Sequence, residues 1–426
     1  MQDKPVIVIF TGSYPHKIEA EESFLNPEIK YVSLSFARII IVPEFIGGDR
    51  QSLAPGIEID ESYAENYAKY RLSNRLGREA IAFSFVFRSS LLFQEILKYP
   101  LMLFSLRKLK RLLSFIVLAI RVRNWTCNFI KTKNIDLENT IFYTYWFNHI
   151  SAGIGLTRKM YPRIKIVSRA HNADLYEERY QPAYIPCRHE TLPALDKLFL
   201  ISENGRDYLL RRYPLFAGKY EVSRLGVEDA GFLSECQKDG IFRILSCSFI
   251  TAVKRPDLLL TGMRELALLR PRQKFEWYHI GDGPLRPYIE ELAKKILPGN
   301  IEFHCLGRLP NNKAILFYKN NAVDVFVNVS SFEGIPVSIM EAQNCAIPVI
   351  AAGVGGTPEI VSDKVGVLLG SNPQPEEIAE AICSLLDNPE LAKEKRNASR
   401  INWESNFCAD KNYADFSRRL KLLLAK

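Results

Sequence analysis

The segment that most constrains the fold lies near the C-terminal end of the chain, where an apolar run leads directly into a glycine-containing turn and a helix. The apolar run Val323–Val329 predicts a buried strand, Pro336 suits the first turn of a helix, and Ile347–Ala352 predicts the next strand. Strands that alternate with helices form doubly wound α/β domains, in which ligands bind at the carboxyl ends of the strands. The segment therefore predicts such a domain, with a ligand site after Val329.

Two carboxylates frame the start of this helix. Glu333 lies in the turn before it, and Glu341 lies inside it, eight positions later. A helix N-terminus offers free N–H groups and the positive end of a dipole, so it suits a phosphate. Because carboxylates repel phosphate, the two glutamates should bond another part of the same ligand, and vicinal sugar hydroxyls fit an ionised carboxylate.

The sequences Phe332-Glu333-Gly334 and Glu341-Ala342 resemble the donor site of retaining glycosyltransferases of family 4, which have the GT-B fold. The resemblance implies that Glu333 bonds the donor sugar and that Glu341 bonds the ribose. The alternative is an ordinary strand–turn–helix unit with Glu333 in solvent. The backbone implied to meet the diphosphate belongs to Gly334, Ile335, Pro336 and Val337.

A second segment, Ser246–Leu258, resembles the first strand-to-helix loop of the family's nucleotide domain. Its Lys254 matches a lysine that binds the donor diphosphate, while Phe249 stands where the family usually has an arginine. Arg255 is a candidate to replace that arginine in part. A GT-B site has no metal to neutralise the leaving diphosphate, so a cation is required here. The alternative for Lys254 is a surface lysine.

Two shorter matches extend the resemblance. Gly281 and Gly283, in Ile280-Gly-Asp-Gly-Pro284, match a glycine-rich turn near the nucleotide, although turns of this composition are common. Arg308, in Leu306-Gly-Arg308, matches a loop near the base. A surface arginine is the alternative for Arg308.

The first half carries the implied acceptor side. His171 and Asp174, in the segment Ser168–Asp174 after a predicted strand, resemble the family's acceptor-side loop, whose histidine would face the donor sugar. A structural histidine is the alternative. The opening turn resembles a polysaccharide-assembly branch of the family, and its implied acceptor-side residues are Gly12, Ser13 and Glu22.

The strand–helix alternation in both halves predicts two doubly wound domains, and the resemblance implies a GT-B arrangement of two Rossmann-like domains facing a central cleft. We expect an acceptor-binding domain over residues 1–227, a linker over 228–240 and a nucleotide-sugar-binding domain over 241–400. Residues 401–426 are expected to form a helix that crosses back onto the first domain.

Composition favours a soluble enzyme. The 426 residues are 47% hydrophobic and 24% charged, enough for two cores. The eight cysteines are scattered without a Cys-x-x-Cys pair, which disfavours a zinc site or a disulfide framework and indicates a reducing cytoplasm. We expect no metal, no signal peptide and no membrane span.

The net charge of +8 is unevenly spread, because no acid occurs between Glu95 and Asp136 while nine bases fall there. Two short apolar runs, Leu101–Phe104 and Leu112–Ile120, interrupt these bases. Apolar helices with basic flanks are typical of a membrane-surface element, so residues 97–133 are predicted to meet an anionic membrane surface. A helical pair with a solvated basic face is the alternative. The chain has no nucleic-acid-binding motif.

The resulting prediction is a retaining, metal-independent hexosyltransferase without a cofactor. It would move a sugar from a nucleotide-diphosphate sugar to a glycan or lipid-linked glycan in surface polysaccharide assembly, such as lipopolysaccharide or capsule, at the inner face of the cytoplasmic membrane. A GT-B sugar-nucleotide epimerase and an inactive nucleotide-sugar-binding partner are the alternatives. The base, the sugar, the linkage and the oligomeric state are left open.

Overall fold

The computed structural model describes residues 5–18, 21–72, 89–237 and 239–425, without the side chains of residues 22 and 70–72. The chain divides into two compact units. The first comprises Met1–Ser223 together with Tyr413–Lys426, and the second comprises Arg224–Asn412. Each unit is a parallel sheet flanked by helices, so the predicted α/β class with two Rossmann-like domains is confirmed.

In the described part of the first unit, seven parallel strands form a sheet in the order β3-β2-β1-β4-β5-β6-β7. Its central strands are apolar runs buried on both faces, as parallel strands covered by helices must be. The strands are β1 (Val6–Thr11), β2 (Arg38–Pro43), β3 (Ile57–Ile59), β4 (Thr140–Thr144), β5 (Lys165–Ala170), β6 (Lys197–Leu200) and β7 (Tyr220–Val222).

The helices of this unit cover its sheet and include one long helix, α4. They are α1 (Glu22–Ser33), α2 (Ser62–Leu72), α3 (Ser90–Lys98), α4 (Leu106–Thr132), α5 (His149–Thr157), α6 (Arg188–Ala194) and α7 (Glu203–Arg212). A short 3₁₀ helix, Pro100–Phe104, joins α3 to α4. The apolar spacing predicts that helices dominate the region from about Ala64 to Lys133, of which residues 73–88 lie outside the described residues.

The second unit contains a six-stranded parallel sheet, counted over its described residues, in the order β10-β9-β8-β11-β12-β13. The strands are β8 (Ile241–Cys247), β9 (Lys274–Ile280), β10 (Ile301–Gly307), β11 (Val325–Asn328), β12 (Val349–Ala352) and β13 (Gly366–Leu369). The helices are α8 (Pro256–Leu269), α9 (Arg286–Ile296), α10 (Asn311–Asn320), α11 (Val337–Asn344), α12 (Pro375–Leu386) and α13 (Pro389–Asn406). Its core packs α8 and α12 on β8, β9 and β11.

The observed unit boundary, between Ser223 and Arg224, lies a few residues before the predicted one. The predicted linker 228–240 groups with the second unit, where the Ser234 N–H donates to the Cys345 carbonyl at 2.9 Å and the Arg396 guanidinium donates to the Ser234 carbonyl at 2.9 Å. These hydrogen bonds attach the segment to the second unit at Ser234.

The predicted C-terminal helix consists of two helices, because α13 ends at Asn406 and a last helix, α14 (Ala409–Leu424), follows. Phe416 and Leu420 of α14 are fully buried in the core of the first unit. The ring of Phe416 lies 5.4 Å from that of Tyr143 and 5.0 Å from that of Phe199. The expected return of the C-terminus to the first domain is therefore confirmed. Within the described residues, none of the helices is both long and apolar enough to cross a membrane.

Candidate functional site

The turn between β11 and α11 brings together the two residues that the sequence placed at the donor sugar and the diphosphate. The Lys254 ammonium lies 2.5 Å from Glu333 Oε1, although the two residues are 79 positions apart. Glu333 is 6% exposed, and the Asn328 side-chain amide also donates to Oε1 at 3.4 Å. The parallel sheet explains the meeting, because β8 and β11 are neighbours and end at the same edge.

The glycine-rich turn after β12 packs closely against the turn that carries Glu333. Gly355 has a φ of +53°, and a Cβ atom there would lie 1.9 Å from the Glu333 carbonyl oxygen. A Cβ atom at Gly356 would lie 2.1 Å from the Gly334 carbonyl oxygen. Only glycine allows the two backbones to approach so closely, so the turn fixes where Glu333 sits.

Helix α11 begins beside Glu333 with its first N–H groups available. Pro336 is the N-cap in an extended conformation, one position earlier than the predicted first turn, and no described side chain caps the helix. The first N–H groups of a helix have no partner within it and attract anions. Gly334–Val337 lie at this helix start, and their binding of a diphosphate stays a prediction.

Glu341 lies on the same helix and is buried. Burial raises the pKa of this carboxyl to about 7, against a lowering by the Asn311 amide, which donates to Oε1 at 2.6 Å. Burial is the main reason that the pKa values of the nearby Cys247 thiol and Tyr318 hydroxyl are raised, and the negative charge of Glu341 raises both further. A carboxyl with so few polar partners can accept hydroxyl groups from a ligand.

The structure corrects the expectation for Arg255, which was to replace the missing family arginine. Its guanidinium donates to the carbonyl oxygens of Val329 at 2.5 Å, Ser330 at 2.9 Å and Ser371 at 3.2 Å. It also donates to Asn372 Oδ1, and burial lowers its pKa. A guanidinium committed to four oxygen acceptors holds loops in place, so Lys254 carries the cationic role at Glu333.

The Gly281 turn supports the loop that carries Lys254. Gly281 has a φ of +148°, and a Cβ atom there would lie 1.9 Å from the Ser248 carbonyl oxygen. A Cβ atom at Gly283 would lie 2.4 Å from the Ile250 carbonyl oxygen. These glycines thus act by allowing close backbone packing. Arg308 is exposed on the loop after β10.

In the first unit, the opening turn is organised by Glu21, which the sequence analysis did not select. Its buried carboxylate accepts the N–H groups of Gly12 at 3.0 Å, Ser13 at 2.6 Å and Tyr14 at 2.8 Å. The Trp146 indole N–H also donates to Glu21, at 2.5 Å. The Gly12 and Ser13 amides are therefore occupied within the protein. The predicted Glu22 side chain lies outside the described residues.

His171 lies between two aromatic rings, with centroid distances of 4.6 Å to Tyr145 and 4.5 Å to Trp146. It is buried, and neither ring nitrogen has a hydrogen-bond partner in the described part of the protein. Asp174 Oδ2 is 3.7 Å from Nδ1, beyond hydrogen-bond distance. Both ring nitrogens are themselves buried, so the imidazole is packed between the two rings, and its acceptor-side role stays a prediction.

Asp174 holds the loop instead of facing an acceptor. Its carboxylate accepts the backbone N–H groups of Phe147 and His171, each at 2.8 Å. Burial raises the pKa of this carboxyl, but interactions with His171 and the Phe147 N–H outweigh it and leave the pKa below its usual value. The predicted acceptor-side role of Asp174 is therefore replaced by one in positioning His171.

One group of residues in the described ranges has the geometry to hold a metal ion. Glu95, Cys187 and Glu190 place their potential ligand atoms within 4.8 Å of one another, in the first unit. The Lys98 ammonium already pairs with Glu190 at 2.7 Å. The group shares no residue with the turn at Glu333. The absence of a metal from the reaction stays a prediction.

Several partners in these sites were missed because the sequence gives little signal for them. Asn311 and Asn328 are single polar residues that become visible only when the sheet brings their loops to Glu341 and Glu333. Glu21 had a local signal, since it lies beside the glutamate that was chosen. Trp146 follows the end of β4, where ligand-binding residues of parallel sheets concentrate.

Residues 237–402 match the family model for glycosyl transferases group 1. This part of the chain is a glycosyltransferase domain. It contains every residue described above around Glu333, Lys254 and Glu341, and the whole chain has the GT-B fold.

A curated relative and two solved structures agree with this assignment. The chain is 27% identical over 195 residues to a phosphatidylinositol N-acetylglucosaminyltransferase subunit of Arabidopsis thaliana, covering 45% of this chain and 42% of the relative. It therefore spans less than half of that relative's length. The lipopolysaccharide outer core galactosyltransferase WaaB shares the fold at a TM-score of 0.65 and 16% identity, covering 97% of this chain and 99% of WaaB. HepE from Anabaena, solved with UDP and glucose, gives a TM-score of 0.61 and 14% identity, covering 98% and 99%.

Proposed function

We propose that this protein is a retaining, metal-independent glycosyltransferase of family 4. It moves a hexose from a nucleotide-diphosphate sugar to a glycan or lipid-linked glycan during surface polysaccharide assembly. The observation that carries the proposal is the Lys254–Glu333 pair, held at 2.5 Å beside the start of α11. A cation, a carboxylate and free helix N–H groups in one place suit a ligand with both a diphosphate and sugar hydroxyls.

In the proposed reaction, the bond between the anomeric carbon and the diphosphate breaks, and the acceptor oxygen bonds to the same face of the sugar. Negative charge grows on the diphosphate as positive charge grows at the anomeric carbon. Lys254 and the first N–H groups of α11 stabilise the diphosphate, because they are fixed before the reaction begins. Glu333 binds the donor sugar, and the departing phosphate takes the acceptor proton.

Glu341 is proposed to bind the ribose. Its pKa of about 7 and its one described hydrogen-bond partner, Asn311, leave acceptor positions for the two ribose hydroxyls. Because the ionised carboxylate accepts hydrogen bonds better than the protonated carboxyl group, binding of the nucleotide sugar should lower the pKa of Glu341 and release its proton. In the first unit, His171 is proposed as an acceptor-side residue on the basis of the resemblance.

The names of similar proteins support the substrate class. WaaB is named as a lipopolysaccharide outer core galactosyltransferase, and HepE was solved with UDP and glucose. The plant relative is named as part of a phosphatidylinositol N-acetylglucosaminyltransferase. A lipid-linked or polysaccharide acceptor is consistent with all three names, and a uridine nucleotide is the first donor base to test.

We further propose that the enzyme is cytoplasmic and binds as a peripheral protein to the inner face of the cytoplasmic membrane. The support is the stretch between Glu95 and Asp136, which contains nine bases and no acid. Each base near an anionic surface contributes roughly 1 kcal/mol, screened by salt.

The decisive experiment incubates the purified protein with a panel of UDP-, GDP- and ADP-sugars and measures both melting temperature and release of free sugar. A transferase should be stabilised by one of them and should hydrolyse it slowly without an acceptor. A new nucleotide sugar as the only product would establish an epimerase, and stabilisation without turnover, even with glycan acceptors supplied, would establish a binding protein. NMR of the glycoside formed with an acceptor then gives its anomeric configuration, and inversion would exclude the proposed mechanism.

A further inference from the structure

A row of exposed apolar side chains runs from the end of α3 through the 3₁₀ helix to the first residue of α4. We name it the apolar ridge and define it by Leu97, Leu101, Leu103, Phe104 and Leu106. Their exposed fractions are 80%, 79%, 51%, 89% and 82%. Five large apolar side chains this exposed lie within ten consecutive residues, and clusters of exposed apolar side chains mark interaction surfaces.

The ridge is not the surface that the sequence pattern indicated. Of the two apolar runs predicted to meet the membrane, Leu112–Ile120 contributes most of its side chains to the core, with Leu112 and Ile116 fully buried. The prediction for that run is wrong, because its spacing along α4 directs it toward α5 and α3. Only the first run, Leu101–Phe104, contributes to the ridge.

The backbone beneath the ridge is firmly attached to the first unit. Leu91, Leu92 and Met102 are buried in the same cluster as Ile116. The buried Glu95 on α3 accepts the Tyr184 hydroxyl at 2.7 Å and the Cys187 N–H at 3.0 Å. The ridge is therefore the outer face of a packed element, and its exposure is a property of the folded protein.

The charges around the ridge indicate what covers it. Arg107 and Lys110, beside it on α4, are exposed, and α4 carries no acid along its whole length. Lys108 is half-buried against the Tyr184 ring. An apolar strip next to exposed bases matches a bilayer with anionic headgroups, since the apolar groups enter the acyl region while the bases stay among the phosphates.

We propose that the apolar ridge is the element that inserts into an anionic membrane. The proposal rests on the proposed peripheral localisation and assigns it to five side chains, with Arg107 and Lys110 as the headgroup contacts. A second copy of this chain is the competing occupant, and charge disfavours it because α4 would face another base-rich α4.

The first test compares flotation of the full-length protein with vesicles of pure phosphatidylcholine and of phosphatidylcholine mixed with phosphatidylglycerol. The ridge variant is Leu101→Ser/Phe104→Ser. The matched control is Leu34→Ser/Leu422→Ser, which removes two side chains of the first unit that are 77% and 50% exposed and that lie just after α1 and on α14, outside the elements that carry the ridge. Wild type and control should float with the anionic vesicles. The ridge variant should partition at least roughly tenfold less, as expected from the lost apolar area.

The second test uses charge. Arg107→Gln/Lys110→Gln should weaken flotation at low salt and make the remaining flotation less sensitive to salt than that of wild type. Arg111 must be left intact, because its guanidinium donates to the carbonyl oxygens of Pro182 and Tyr184, both at 2.9 Å, and its loss would disturb the fold. Release of free sugar from the donor should be unchanged in all of these variants, since none of them touches the second unit.

Each outcome decides a different claim. If the ridge variant floats as well as wild type, the ridge assignment fails while the localisation stands. If wild type never floats with anionic vesicles, both claims fail while the transferase proposal stands on its own assay. If light scattering shows a wild-type dimer that becomes a monomer in the ridge variant, the ridge is an interface between copies and the membrane proposal is overturned.

Discussion

Replacing Lys254 by methionine tests the pair on which the proposed site depends. The substitution keeps much of the side chain's volume but removes the ammonium 2.5 Å from Glu333 Oε1. Glu333 is 6% exposed, and its other described side-chain donor, Asn328, is 3.4 Å away. Breaking a buried ion pair costs about 3–5 kcal/mol, because the remaining charge lacks a partner. The Lys254 side chain is 24% exposed, so we expect a smaller loss of about 2–3 kcal/mol.

The assay is a double-mutant cycle of melting temperatures. A loss of about 2–3 kcal/mol lowers the melting temperature of a domain of this size by about 4–12 °C. The double variant Lys254→Met/Glu333→Gln should recover most of that loss, since no unpaired carboxylate remains. If Lys254→Met melts within about 1 °C of wild type, the two groups do not interact in solution and the reasoning is refuted.

The same variant should be slow as an enzyme. Losing one fixed electrostatic donor costs about 2–4 kcal/mol of transition-state stabilisation, which corresponds to about 30- to 1,000-fold in kcat/KM. Glu333→Gln alone provides the comparison, because it removes the carboxylate while retaining a hydrogen-bonding group. A Lys254→Met enzyme with wild-type kcat/KM would remove Lys254 from the mechanism.

Four further predictions concern the glutamates and the metal. Glu333→Gln should lower kcat more than Glu341→Gln does, while Glu341→Gln should mainly raise the donor KM; equal kcat values for wild type and Glu333→Gln would contradict the donor-site assignment. Donor affinity should rise with pH through about 7 as Glu341 loses its proton, and isothermal titration should find this pH dependence absent in Glu341→Gln. EDTA should leave the transfer rate unchanged, and a loss restored by Mg²⁺ or Mn²⁺ would contradict this. Burial raises the pKa of Glu95 in the folded protein from the ordinary 4.5 to about 7, so the free energy of unfolding should fall as the pH rises from about 5 to 7. Urea unfolding of Glu95→Gln should show a smaller fall over the same pH range. Tight binding of Zn²⁺ or Co²⁺ by wild type, lost in Cys187→Ser, would instead identify a metal site.

The sheet of each unit could be predicted from the sequence because buried parallel strands are almost uniformly apolar. The apolar runs Val6–Phe10 and Val323–Val329 predict strands, and the observed strands Val6–Thr11 and Val325–Asn328 differ from them by at most two residues at the start and one at the end. The two strands that were missed, Ile57–Ile59 and Tyr220–Val222, are three residues long. They are the two edge strands of their sheet. Because an edge strand has a neighbouring strand on one side only, it can be shorter and less apolar than a central strand.

The resemblance assigned Lys254 to the diphosphate and Glu333 to the sugar of one ligand, and the order of the sheet explains how the two residues meet. The role of Arg255 could not be predicted in this way. Its guanidinium donates to backbone carbonyl oxygens. Because every residue has such an oxygen, the identities of the partner residues do not reveal the contact. Composition identifies a cation but does not say whether backbone or ligand will use it.

The same limit explains why the apolar ridge differs from the predicted membrane run. The sequence pattern assigned Leu101–Phe104 and Leu112–Ile120 to the membrane alike, because both are apolar runs among bases. On a helix, the direction of each side chain decides burial, and the side chains of Leu112 and Ile116, four positions apart, point into the core together. The 3₁₀ helix has three residues per turn, and with the Met102 side chain in the core, the side chains of Leu101 and Phe104 are exposed to solvent. The change from α3 to the 3₁₀ helix to α4 therefore creates the exposed apolar ridge.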